Sequence, residues 1–140
     1  MAISKLTPYL IFNGDAKKAI ALYERALGAR TEIVTHFGDM GGTTIAPEHK
    51  DRVTHAMLHL GEGAIMMSDS RPEDPPVKEG NVQVCLELTT EEDQTAKFNA
   101  LAEGGRVTMP LQDTFWGARF GMLVDAVGVQ WMFNYTKPKA

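Results

Sequence analysis

Apolar and polar positions along this chain run through the same course twice. The segment PYLIFNGD, from Pro8 to Asp15, reads as a strand leading into a helix, with Asp15 placed to cap it or favour its N-terminal dipole. Ala19, Leu22, Tyr23, Ala26 and Leu27 then recur at the spacing of one helical face, and Gly28 stops the run. Thr31 to Phe37 predicts a strand, and Gly38 to Arg52, with Gly41-Gly42, Pro47 and several charges, a loop. Thr54 to Leu60 alternates, Ala56, Leu58 and Leu60 on one side and His55, Met57 and His59 on the other. After the turn Gly61-Glu62-Gly63, a further strand covers Ala64 to Ser68.

The second course opens at Val82, where Val82, Val84, Leu86 and Leu88 alternate with Gln83, Cys85 and Glu87. Thr90-Glu91-Glu92-Asp93 opens a helix with a buried stripe of Phe98, Leu101 and Ala102, and Gly104-Gly105 ends it. Three strands follow, Arg106 to Leu111, Gly121 to Asp125 and Val129 to Tyr135, with Thr114 to Arg119 as a loop. Leu58, Gly63, Met67 and Asp69 recur as Leu123, Gly128, Met132 and Asn134 at a constant offset of 65 residues. Pro72, Pro75 and Pro76 mark a linker over 71–80, between a first βαβββ module at 1–70 and a second at 81–140. Eight strands with two helices exclude a doubly wound sheet. They predict an α+β fold of two curved, mostly antiparallel sheets in a single compact domain. Two such sheet faces can enclose a ligand.

Composition narrows the function classes. A formal net charge of -4 argues against nucleic acid or anionic membrane as the main partner. No apolar run reaches the roughly 20 residues that span a bilayer, and MAISKLTPYL lacks the pattern of a signal peptide. Cys85 is the single cysteine, so an internal disulfide is excluded and a reducing cytoplasm is expected. The eight methionines suit an irregular pocket or a packed interface.

The wording PYLIFNGDAKKAIALYERALGA, then IMMSD, then Gln112-Asp113-Thr114-Phe115-Trp116-Gly117, then Phe120-Gly121 and Gly128-Val129-Gln130-Trp131-Met132 covers almost the whole chain. It resembles the PhnB-like branch of the vicinal oxygen chelate superfamily, the glyoxalase, bleomycin resistance and dioxygenase proteins. The resemblance implies paired βαβββ modules, a homodimer, and a cleft for a small molecule. Enzymes of this superfamily hold one divalent metal with side chains from the first and last strands of each module. The resemblance places those positions at Pro8, Met67, Gln83 and Met132, of which only Gln83 could bind a hard or borderline cation. A slip of one residue would bring in Ser68, Cys85 and Phe133, which is no better a set. No metal or other cofactor is therefore expected. Some PhnB-like proteins carry a methyltransferase label, but this chain has no glycine-rich βαβ nucleotide fingerprint.

The preferred expectation is a protein that binds a small organic ligand without the superfamily metal. Phe12, Met67, Trp116 and Met132 would form the apolar wall, and His55, Gln83, Glu87 and Gln112 the polar contacts. The Phe115-Trp116-Gly117 loop then serves as a pocket wall rather than a plug, and Cys85 as a small filler on the polar side. The alternative is a lyase, isomerase or dioxygenase with an atypical divalent metal on His55, His59 and Asp69. Against it, His55 and His59 are four residues apart on a strand, roughly 13 Å along the backbone. A third reading is a dimer whose cleft is filled by its own side chains.

Overall fold

Two strand–helix–three-strand units make up the described residues, 3–39, 45–74 and 80–139 of a computed structural model. Chain contacts divide at Met1–Lys78 and Glu79–Ala140. The first unit contains β1 (Tyr9–Phe12), α1 (Ala16–Leu27), β2 (Arg30–His36), β3 (Val53–Leu60) and β4 (Gly63–Asp69). Its sheet has the order β1-β4-β3-β2, with β1 parallel to β4 and the other pairs antiparallel. The helical face read from the sequence is the buried one: Ala19, Leu22, Tyr23, Ala26 and Leu27. It covers the sheet side that carries Phe12, Ala56, Leu58, Ile65 and Met67, all buried. Gly28 ends α1 in the left-handed region, at φ 70°, a conformation without steric cost only for glycine.

The second unit repeats this order with β5 (Val84–Glu87), α2 (Glu91–Ala102), β6 (Arg106–Asp113), β7 (Ala118–Val124) and β8 (Gln130–Thr136). The sheet order is β5-β8-β7-β6, again with one parallel pair, β5 with β8. Phe98 and Leu101 of α2 are buried with Leu123, Trp131 and Phe133 of the sheet, and the Phe98 and Phe133 rings meet edge to face at 5.2 Å. Gln94, fully buried, ties helix to sheet: its Nε2 donates to the carbonyls of Arg119 and Phe133, and its Oε1 accepts from the Arg119 guanidinium.

Several local expectations change. Val82 is 77% exposed and lies before β5, so the apolar face of that strand begins at Val84. The expected loop at 114–119 contracts to a turn over 114–117, because the Thr114 hydroxyl accepts the Ala118 N–H and its backbone N–H donates to the Ala118 carbonyl. β6 and β7 are correspondingly longer. The strand expected to reach Phe37 ends at His36, and short 3₁₀ turns follow at Phe37–Asp39 and Pro47–His49; Gly41-Gly42 of the expected loop and Pro75-Pro76 of the linker lie outside the described residues. Asp15 makes no side-chain cap on α1. Asp69 does so instead, from the end of β4: its Oδ1 accepts the N–H groups of Gly14 and Ala16 at 2.8 and 3.0 Å, and its Oδ2 that of Val53 at 2.9 Å.

The sequence offset of 65 holds throughout, but the pairing of the last two strands differs between the units. Met57 pairs with Met66, nine residues on, whereas its counterpart Met122 pairs with Met132, ten residues on. The pairing of β7 with β8 is therefore set one residue further on than that of β3 with β4. In a strand one residue turns a side chain to the opposite face. Met67, the sequence counterpart of Met132, is thus fully buried on the helix side, while Met132 lies on the opposite side of its sheet from buried Trp131 and Phe133.

Candidate functional site

Each sheet has one face covered by its helix and one face free of it within its unit. In the first sheet the register places Tyr9 and Ile11 of β1, Met66 and Ser68 of β4, and His55, Met57 and His59 of β3 on the free face. Ring centroids of Tyr9 and His55 are 6.2 Å apart. His59 Nε2 and Glu32 Oε2 lie 2.6 Å apart, and this hydrogen bond, reinforced by the charges of His59, Arg30 and Lys5, lowers the Glu32 carboxyl below its ordinary range. Only His55 of the expected ligand contacts in this unit lies on the free face. Phe12 and Met67 belong to the helix-side core, so the expectation that they line a ligand site is corrected to a packing role.

The second sheet concentrates more of the expected residues. Its strand pairings connect Glu87, Asn134, Phe120 and Gln112 as successive neighbours across β5, β8, β7 and β6. Asn134 Nδ2 donates to both Glu87 carboxylate oxygens at 3.0 Å, which orients the carboxylate. The adjacent row, in the same manner, is Cys85, Met132, Met122 and Met109. Trp116, 59% exposed in the β6–β7 turn, sits against Phe120 with centroids 6.4 Å apart, and Phe115, 96% exposed, packs edge-on against Trp116. Gln83 precedes β5, is exposed, and keeps the alternation of Cys85 and Glu87. Partial burial, and secondarily the Glu87 carboxylate, push the Cys85 thiol above its ordinary range.

Glu87, Gln112, Trp116 and Met132 therefore share one sheet face or its rim. Asn134, Phe120 and Met122 join them, and the sequence reading missed these three. The alternation in β7 and β8 carried the signal for them, once the face was known.

The superfamily's divalent metal can be tested against the donors. On the free faces, the first and last strands of the two units present Tyr9, Ile11, Met66, Ser68, Cys85, Glu87, Met132 and Asn134. Glu87 is the one hard donor with charge among them, and it already accepts two hydrogen bonds from Asn134. Among the described residues no three His, Cys, Asp or Glu side chains group as ligands. A borderline divalent ion takes three or four imidazole, carboxylate or thiolate ligands, and this set offers one carboxylate, one thiol and no imidazole, which does not fit it. The atypical trio fares no better: His55 and His59 are on the free face of their sheet, and Asp69 is on its helix side, occupied by three backbone N–H groups. No helix among the described residues is long and apolar enough to cross a membrane.

Known proteins agree with this architecture. Residues 5–133 match the Glyoxalase/Bleomycin resistance protein/Dioxygenase superfamily. Protein YjdN of Escherichia coli K12 is 33% identical over 94% of this chain and 95% of its own length. Protein PA1353 from Pseudomonas aeruginosa superimposes with a TM-score of 0.86 at 40% identity, covering 97% of this chain and all of that one. The PhnB protein from Bacillus cereus gives a TM-score of 0.76 at 25% identity, over 94% of this chain and 99% of its own. With two βαβββ units and matches along nearly its full length, the chain belongs to the glyoxalase/bleomycin resistance/dioxygenase superfamily, in its PhnB-like branch.

Proposed function

We propose that this protein binds a small organic molecule on the helix-free face of its second sheet, without the superfamily's divalent metal. One observation supports this above the others: a sulfur and aromatic surface (Met132, Met122, Phe120, Trp116) lies beside a short polar row (Glu87, Asn134, Gln112). Mostly apolar lining with a few oriented polar groups is the composition of ligand sites. Methionine and aromatic side chains grip planar or polarisable groups, and Glu87, held by Asn134, selects for a positive or hydrogen-bond-donating substituent. In the same reading the protein is a homodimer. Exposed Tyr9 and Ile11 on the edge strand β1, with exposed Ile3 and Leu6 in the segment before it, support pairing, and a solution mass of twice the 15.4 kDa chain tests it.

The experiment is metal analysis by plasma mass spectrometry on protein purified without chelator, followed by a thermal-shift screen of small organic compounds. Divalent Zn, Mn, Ni and Fe are expected well below one per chain. A ligand at 100 times its Kd contributes about 2.7 kcal/mol, a rise in Tm of roughly 8–10 °C. That rise is expected to shrink in Glu87→Gln and Met132→Ala. Near-stoichiometric divalent metal, or a ligand shift unchanged by both substitutions, overturns the reading.

A further inference from the structure

Four of the chain's nine sulfur atoms fall in a single row of one sheet face. Cys85 on β5 pairs with Met132 on β8, Met132 with Met122 on β7, and Met122 with Met109 on β6. Cys85 is exposed and the three methionines are half-buried, so all four sulfurs remain reachable. The corresponding row of the first sheet, Tyr9, Met66, Met57 and Ile33, holds two sulfurs and no thiol. The organic-ligand reading uses this row as a greasy wall. That does not account for a thiol beside three thioethers.

We propose that Cys85, Met132 and Met122 form a binding site for a soft monovalent cation, Cu(I). Thiolate binds Cu(I) and Zn alike, but two thioethers beside it favour the soft Cu(I) over Zn, and over Mn or Mg, which take oxygen donors. The geometry permits it. The three residues sit on neighbouring strands with β8 central, so the outer two are separated by roughly 9.6 Å at the backbone. Two metal–sulfur bonds of about 2.3 Å, taking the zinc–thiolate length as a guide, leave the outer sulfurs to lean inward by an average of about 2.5 Å. Cys85, with one rotatable bond, stays close to its own strand, so most of the movement falls to Met122, whose three rotatable bonds give it reach, and Met132 stands between the two. Met109, on the edge strand β6 across an irregular stretch of pairing, is the reserve donor. Glu87, two residues from Cys85 on the same face, adds negative charge beside the ion.

Binding converts the thiol to a thiolate. The S–H bond breaks as the Cu–S bond forms, the proton passes to solvent, and no electron is transferred. This inference shares Met122, Met132 and Glu87 with the proposed organic-ligand site but does not rest on that reading: it needs no organic molecule, and its test uses the ion alone.

The test is anaerobic titration of the full chain into the coloured Cu(I)–bicinchoninate complex, with the fold of every variant checked by circular dichroism. The wild-type chain is expected to withdraw one Cu(I). Met132→Leu and Met122→Leu, both volume-conserving, are each expected to weaken binding at least about tenfold, the lower range for lost support of a metal site. Cys85→Ser is expected to abolish binding, and Met66→Leu, on the first sheet, to leave it unchanged. A wild-type chain that leaves the chromophore intact overturns the proposal. So does retention of wild-type affinity by both methionine variants of the second sheet, since the thiol alone would then be the binder. Should Met132→Leu not fold, Met122→Leu decides the same point.

Discussion

Removing the Asp69 carboxylate should cost this protein more than removing any acidic side chain on its surface. Asp69 is 5% exposed, and its two oxygens accept three backbone N–H groups, those of Gly14, Ala16 and Val53. The first two open α1 and the third begins β3, so one side chain joins the helix start to two strands of the sheet. Asp69→Ala leaves the Ala16 and Val53 amides buried without an acceptor, at about 1–3 kcal/mol each, while water reaches the part-buried Gly14 amide. The sum, about 3 kcal/mol after relief of the buried charge, is a large share of the roughly 5–15 kcal/mol that holds a domain folded. It corresponds to a fall in Tm of roughly 10 °C. Urea unfolding followed by far-ultraviolet circular dichroism is the suitable assay, because both tryptophans, Trp116 and Trp131, lie in the second unit while backbone ellipticity follows the helices and strands of both. Asp15→Ala is the control. Asp15 occupies the N-cap position but makes no side-chain cap bond, so a change within about 0.5 kcal/mol is expected. Asp69→Ala destabilising by less than about 1 kcal/mol, or no more than Asp15→Ala, would refute the assignment of the cap to Asp69.

Asp125, in the turn between β7 and β8, likewise gathers three donors: the N–H groups of Val127 and Val129 and the Trp131 indole Nε1–H at 2.8 Å. Asp125→Ala should lose about 2–4 kcal/mol and shift the emission of Trp131, measured by urea titration with tryptophan fluorescence; an unshifted spectrum would count against the indole bond. Cys85 should react slowly with a maleimide at neutral pH, and its rate should rise only above the ordinary thiol range, because partial burial and the Glu87 carboxylate disfavour the thiolate. Glu87→Gln removes the second of these causes, so its rate–pH profile should move to lower pH; a profile displaced upward would refute the electrostatic part of the account.

Much of the architecture was legible in the chain, and the reason is local. Three- and four-residue spacing of Leu22, Tyr23, Ala26 and Leu27, stopped by Gly28, determines a helix wherever the chain goes next. Period-two alternation from Thr54 to Leu60 likewise determines a strand with one apolar side. Thr90 marks the start of α2 with its own hydroxyl, which accepts the Asp93 N–H. The repeat of these signals specified two βαβββ units, and the resemblance carried by those segments named the superfamily.

The candidate site was only half legible. Whether a strand residue faces a helix or the open side depends on which residue pairs with it, and that is settled by the turn between strands. The pairing of β7 with β8 is set one residue further on than that of β3 with β4, which placed Met132 on the open face, while the same motif in the first unit left Met67 in the core. No local signal in either strand distinguishes the two methionines. The same holds for Asp69, whose partners at Gly14, Ala16 and Val53 are distant in sequence, and for the sulfur row, whose members come from four strands. Spacing along the chain determined the elements because helix and strand periods are properties of neighbouring residues. Faces, caps and rows were decided by tertiary pairing, because a register is a relation between segments and is absent from each segment alone.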